Sequence, residues 1–106
     1  MRYRDLNIMS NVKIIERLKA ELLCIIGDFF KLLTKGTNIA HDAILECISS
    51  AIIILYVLAE RLGYTFPEVD HELKSRLDLG IKAEDEVERE GKTLSRLRKY
   101  IGNRID

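Results

Sequence analysis

Apolar residues recur at spacings of three and four along "SNVKIIERLKAELLCIIGDFFKLLTKG" (10–36), placing Ile14, Leu18, Leu22, Ile25, Phe29 and Leu32 on one stripe. Ser10 suits the N-cap, Gly36 the position after the C-cap, and Lys31 and Lys35 the negative end of the helix dipole. The spacing predicts a first helix over 10–35, with 1–9 flexible or peripheral. A second stripe, Ile44, Ile48, Ala51, Leu55, Leu58 and Leu62, runs through "NIAHDAILECISSAIIILYVLAERLG" (38–63). With Thr37 or Asn38 as cap and Gly63 as stop, it predicts a second helix over 38–62. So short a connection folds the two back as a long antiparallel hairpin.

Two shorter helices are expected after it. "TFPEVDHELKSRLDLG" (65–80) has Thr65 and Glu68 at capping-box spacing, Pro67 in the first turn and Gly80 to close a helix over 66–79. "AEDEVEREGKTLSRLRKYIG" (83–102) has acids first, bases last and a thin stripe of Val87, Leu94, Leu97 and Ile101, predicting a helix over 83–101. Gly91 weakens its middle, where the helix can break. The reading is a single all-α domain over 1–106. Ile53 and Tyr56 fall opposite the main stripe of the second helix, and one hairpin cannot cover both sides. A homodimer or tetramer whose paired hairpins form a four-helix core is the economical solution, with Ile53 and Tyr56 at the interface.

Composition narrows the function classes. Apolar residues make up 47% of the 106, and Lys plus Arg equals Asp plus Glu, so there is no net field to gather nucleic acid or an anionic membrane. The small basic group Arg96, Arg98, Lys99 and Arg104 lacks interleaved aromatics and has acids as neighbours, which argues against nucleic-acid binding. From Cys47 to Ala59 there are thirteen uncharged residues, fewer than the roughly 20 of a membrane span, so a core helix is expected. The N-terminal ten residues lack the apolar run of a signal peptide, and the cytoplasm is the expected location. Cys24 and Cys47 sit in apolar patterns without ligand spacing and read as buried thiols. His41 and His71 have no catalytic arrangement beside them. "GKT" (91–93) lacks the upstream glycine of a phosphate loop, since residue 86 is Glu. The acid run "EDEVERE" (84–90) reads as a solvated helix face.

The hairpin carboxylates carry more chemistry. Glu21 and Asp28 project within about 60° of the centre of the first apolar stripe, and Asp42 and Glu46 lie one turn apart on the second helix. Two helices each presenting two acids can build a magnesium site. Lys31 and Lys35 are candidate phosphate contacts.

The stretch "AIIILYVLAERLGYTFPEVD" (51–70), with "LAERLG" (58–63) and "GDFFKLL" (27–33) on helices of this length and order, resembles the MazG-like branch of the all-α nucleotide pyrophosphohydrolases. The resemblance covers roughly residues 12–80. It implies a helical dimer or tetramer, magnesium, and hydrolysis of nucleoside triphosphates to monophosphate and pyrophosphate. It also implies two adjacent acids followed after two residues by Glu on the first helix, and Glu-x-x-Asp on the second. These positions fall on Cys24, Ile25 and Asp28, then on Cys47 and Ser50; only Asp28 is acidic. A one-residue slide recovers Glu46 but puts Ser49 in place of the aspartate. The expectation is a protein that binds a nucleotide or nucleotide derivative, with weak or lost magnesium-dependent hydrolysis. The alternative is a non-enzymatic oligomeric interaction module.

Overall fold

A computed structural model describes residues 3–105, with side chains described for 9–36 and 40–104. The described residues form helices α1 (Tyr3–Leu33), α2 (Thr37–Arg61), α3 (Phe66–Lys82), α4 (Glu86–Arg89) and α5 (Thr93–Ile105), without a strand among them. Although no shift in composition marks a boundary, chain contacts form two compact units, Met1–Gly63 and Tyr64–Asp106.

The first unit is the antiparallel hairpin. Helix α1 starts well before Ser10, so that residue is interior to the helix and not its cap; residues 1 and 2 lie outside the described residues. The turn closes with Thr34 and Lys35 N–H groups donating to the carbonyls of Lys31 and Leu32 (3.2 and 3.0 Å). Gly36 then takes φ 89°, a left-handed value that costs glycine nothing, and serves as the N-cap of α2. The side chains of Thr37 and Asn38, the expected caps, lie outside the described residues. At the open end Asn11 Nδ2 donates to the Arg61 carbonyl at 2.8 Å. That bond sets the register, in which residues whose numbers add to about 72 lie at one level.

The seam is where the expectation needs correction. On α1 it runs as the spacing predicts, with Leu18 buried (6% exposed) and Ile14, Leu22, Ile25, Phe29 and Leu32 partly so. On α2 the residues turned inward are Ala40, Ala43, Cys47, Ser50 and Ile54, of which Ala40 and Ile54 are buried. Of the predicted stripe, Ile48, Leu55 and Leu62 are exposed, whereas Ile44, Ala51 and Leu58 are half-buried, as Ala43, Cys47 and Ser50 are. At 100° per residue the seam is rotated about 80° from the predicted one. Small side chains at four of its five positions let the two backbones approach, which a line of Leu and Ile would prevent.

That rotation makes the hairpin two-faced. Val12, Leu23, Ile26, Phe30 and Leu33 of α1 and Leu45, Ile48, Ile52 and Leu55 of α2 are all exposed, and their helical positions put them on one side. Asp28, Lys31, Lys35 and Glu46 fall on the other. The segment Ala40–Arg61 is 22 residues long with mean hydropathy 2.0, and 6% of its apolar window is buried in this chain. By length and composition alone it could cross a membrane, because a window wider than Cys47–Ala59 tolerates its flanking charges.

In the second unit α3 packs on α5. The Thr65 capping box forms as its spacing predicts, Glu68 N–H donating to Thr65 Oγ1 (3.2 Å) and Thr65 N–H to Glu68 Oε1 (2.9 Å). Helix α3 continues through Gly80 instead of closing there. The reason is packing: a Cβ at Gly80 would come within 2.8 Å of Leu94 Cδ1, so the glycine admits the leucine of the α5 segment. The last predicted helix breaks where Gly91 weakens it, with Gly91 at φ 139° and Lys92 at φ 54° between α4 and α5. Arg98 reaches Asp78 (3.0 Å) and Arg104 reaches Asp70 (3.6 Å), tying α5 to α3. Leu77 and Ile101 are the buried apolar side chains.

The Glu88 carboxylate bridges that break, accepting from the Ser95 hydroxyl and from the Ser95 N–H (2.9 Å). The Ser95 hydroxyl, first, holds the Glu88 carboxyl below its ordinary pKa, as Thr65 does for Glu68. A carboxyl lowered on folding contributes stability above its unfolded pKa of about 4.5 and loses it as pH falls through the lowered folded value. Melting temperature is therefore expected to fall below about pH 4.5, with a shallower fall in Glu88→Gln. Parallel acid limbs for the two proteins, followed by circular dichroism, would remove Glu88 from the account.

Candidate functional site

The polar side of the hairpin contains a groove of about 460 Å³, lined by Ile25, Asp28, Lys31, Leu32, Lys35, Ala43, Glu46, Cys47 and Ser50. Its walls are the last two turns of α1 and the first half of α2. The same small residues that set the seam, Ala43, Cys47 and Ser50, form its floor with Ile25 and Leu32. The 80° rotation of α2 brings Glu46 to its rim, whereas the predicted stripe would have turned it away.

The register orders the charges. Lys35 and Lys31 lie at the turn end, and Asp28 and Glu46 face one another about one helical turn further along. All four side chains are exposed, and none takes part in a salt bridge or side-chain hydrogen bond with the described residues. Two ammonium groups and two carboxylates thus meet in one groove with their hydrogen-bonding capacity directed to solvent.

Of the residues singled out as candidate metal ligands, Asp28 and Glu46 share this groove. Asp42 lines an adjoining depression with Leu45, Glu46, Ser49 and Ser50. Glu21 lies two turns before Asp28 and pairs with Arg17 at 4.0 Å. Among the described residues no group of three or more His, Cys, Asp or Glu side chains is arranged to hold a metal ion. Lys31 and Lys35, the candidate phosphate contacts, both line the groove. Ile53 is 61% exposed, and Tyr56 is partly buried with a partner of its own.

Other candidates resolve differently. Cys24 is exposed, not buried, and Cys47 is half-buried in the groove wall; both are free thiols. His41 and His71 are exposed. The "GKT" segment leads into α5, which begins at Thr93, and near that helix start Glu88 takes the Ser95 hydroxyl and N–H. Of the basic group, Arg98 and Arg104 are bound to α3 acids, and Arg96 donates to the Gly91 carbonyl (3.2 Å) and Thr93 Oγ1 (3.2 Å). Sequence reasoning missed Ile25, Leu32 and Ala43 as groove lining. The one available signal was the run of small residues on α2 at seam spacing.

Magnesium, which the resemblance implies, prefers octahedral oxygen coordination and is held by carboxylates together with substrate phosphates. Asp28 and Glu46 supply carboxylates here, but Lys31 and Lys35 cancel their charge, and the implied signature's other acid positions hold Cys24 and Ile25 on α1 and Cys47 and Ser50 on α2. A thiol and a hydroxyl are poor ligands for so hard a cation. The donor set of one chain does not fit the metal.

No curated protein and no solved structure matches the chain. The MazG-like family profile matches residues 8–94, a stretch that takes in the hairpin, the groove, α3 and α4. With that match extending over most of its length, the chain belongs to the MazG-like family.

Proposed function

We propose that the α1–α2 groove binds a nucleotide or nucleotide derivative, its phosphates toward Lys31 and Lys35, and that magnesium-dependent pyrophosphohydrolysis is weak or lost. The family has a nucleotide pyrophosphohydrolase-like fold and is usually magnesium-dependent. The observation that carries the reading is the convergence of four uncommitted charges on one groove of that hairpin. Ammonium groups are donors without acceptor capacity and bind phosphate oxygens as point charges. Asp28 and Glu46 accept from N–H or O–H groups elsewhere on the same ligand.

The test is thermal unfolding of the protein against the common ribo- and deoxyribonucleoside triphosphates. A ligand at about 100 times its dissociation constant adds roughly 2.7 kcal/mol, which is on the order of 10 °C in a chain of this size. No shift with any of them refutes the reading. Pyrophosphate release with magnesium is expected to be slow or undetectable, and whatever remains should vanish in Asp28→Ala. Release undiminished in that variant removes Asp28 from any catalytic role.

A second copy of the chain is the proposed cover for the apolar side of the hairpin. Nine large exposed apolar side chains on one side are more than a monomeric surface ordinarily leaves in water. A membrane is the less favoured occupant: the uncharged run Cys47–Ala59 spans about 20 Å as helix against roughly 30 Å of hydrocarbon. Pairing through this side leaves the groove open on the other, and further contacts through Ile53 and Tyr56 would extend a dimer to a tetramer.

A further inference from the structure

We infer that the groove receives the anionic end of its ligand without a divalent cation, the Lys31 and Lys35 ammonium groups supplying the positive charge a metal would otherwise bring. The inference rests on the reading of the groove as a nucleotide site and concerns how that site is charged.

Three features of the hairpin point the same way. The groove holds two carboxylates, fewer oxygen donors than a magnesium ion needs from its ligands, and a cation entering it meets two ammonium groups. Lys31 in the last turn of α1 and Lys35 in the turn that follows both line the groove, so both can reach one phosphate chain. The chain re-enters helix at that same end with Gly36 as the N-cap and without a side-chain cap, in a first turn set off from the rest of α2 by a kink at Ala40. The first N–H groups of that turn, which an acidic cap would have taken, are left as donors beside Lys35. The carboxylates lie a turn deeper along the hairpin, where they oppose an anion unless a cation or a donor group intervenes.

The metal-dependent and metal-free readings give opposite signs for the same substitutions. In a magnesium site Asp28 and Glu46 hold the cation, so Asp28→Asn or Glu46→Gln abolishes binding. In a metal-free site those carboxylates repel the phosphates, so either substitution tightens binding of inorganic tripolyphosphate, which offers them no N–H or O–H group to accept from. Magnesium itself acts in the same two directions, since by chelating phosphate oxygens it lowers the charge that the lysines recognise.

The experiment is calorimetric titration of the intact protein with the panel of nucleoside triphosphates and with inorganic tripolyphosphate, in EDTA and in excess magnesium. Expected are binding in EDTA, several-fold weaker binding with magnesium, and a loss of about tenfold in Lys31→Gln/Lys35→Gln. Asp28→Asn is expected to bind tripolyphosphate a few-fold more tightly in EDTA. Binding that appears only with magnesium and disappears in Asp28→Asn overturns the inference while leaving the nucleotide reading intact. Binding in EDTA that the double lysine variant retains also overturns it. Absence of binding by every probe in both conditions refutes the nucleotide reading and the inference with it. The four side chains are exposed, and circular dichroism of each variant confirms that the charge alone has changed.

Discussion

Replacing Phe30 and Ile52 together with glutamate is expected to convert an oligomer into a folded monomer. Both side chains are exposed in the single chain, on the apolar side of the hairpin, so the change leaves the seam in place apart from the ring contact of Phe30 with Phe29, 5.7 Å between centroids. Each occurs twice in a symmetric pair, and burial of an aromatic or branched aliphatic side chain is worth about 1.5–3 kcal/mol. Losing four such burials costs about 6 kcal/mol or more, roughly four decades in dissociation constant. Burying four carboxylates would add to the cost. Sedimentation at micromolar concentration reads the outcome directly. A wild-type chain that is monomeric there, or a double variant that stays oligomeric, would refute the proposed covering of this side. Partition of the wild-type chain into neutral lipid vesicles, lost in the double variant, would assign the same side to a membrane. Tyr56→Glu is a separate probe: it should reduce a tetramer to a dimer if the second contact forms through Ile53 and Tyr56.

Leu18→Ala and Ile54→Ala are expected to have the largest effects on stability. These are the most buried large side chains of the hairpin, each 6% exposed, and their numbers add to 72, the register set by the Asn11–Arg61 bond. They therefore lie at one level of a seam whose other α2 positions carry Ala, Cys and Ser. Truncating either removes about 2–4 kcal/mol through lost burial and the cavity left behind. At several degrees per kcal/mol this is a fall in melting temperature of about 10–20 °C, compared at fixed protein concentration because assembly would add to stability. The double variant should lose less than the sum of the singles, since two side chains that share a contact share its energy. Strict additivity would mean that Leu18 and Ile54 do not touch, and would shift the register.

Much of this architecture is legible in the residues. The α1 stripe, the Thr65 capping box and the break at Gly91 are local, because each depends on residues within a turn or two of one another. Three features were not legible, and all depend on what lies across from a residue. Gly80 looks like a helix stop until Leu94 is seen to occupy the space its side chain would fill. Cys24 reads as buried because its neighbours are apolar, although α1 turns it outward. The α2 seam is the case with functional weight. Leu and Ile surround that helix so thoroughly that periodicity centres on a stripe of which Ile44, Ala51 and Leu58 are half-buried and Ile48, Leu55 and Leu62 are left exposed.

The sequence by itself determined the helices, their order, the antiparallel hairpin and the family, since these follow from periodicity, caps and turn residues close together in the chain. The tertiary structure alone decided which face of α2 meets α1. Close approach of two backbones favours the small residues Ala43, Cys47 and Ser50 over the most hydrophobic ones. That choice turns Glu46 toward Asp28, opens the groove beside Lys31 and Lys35, and leaves the larger side chains facing away.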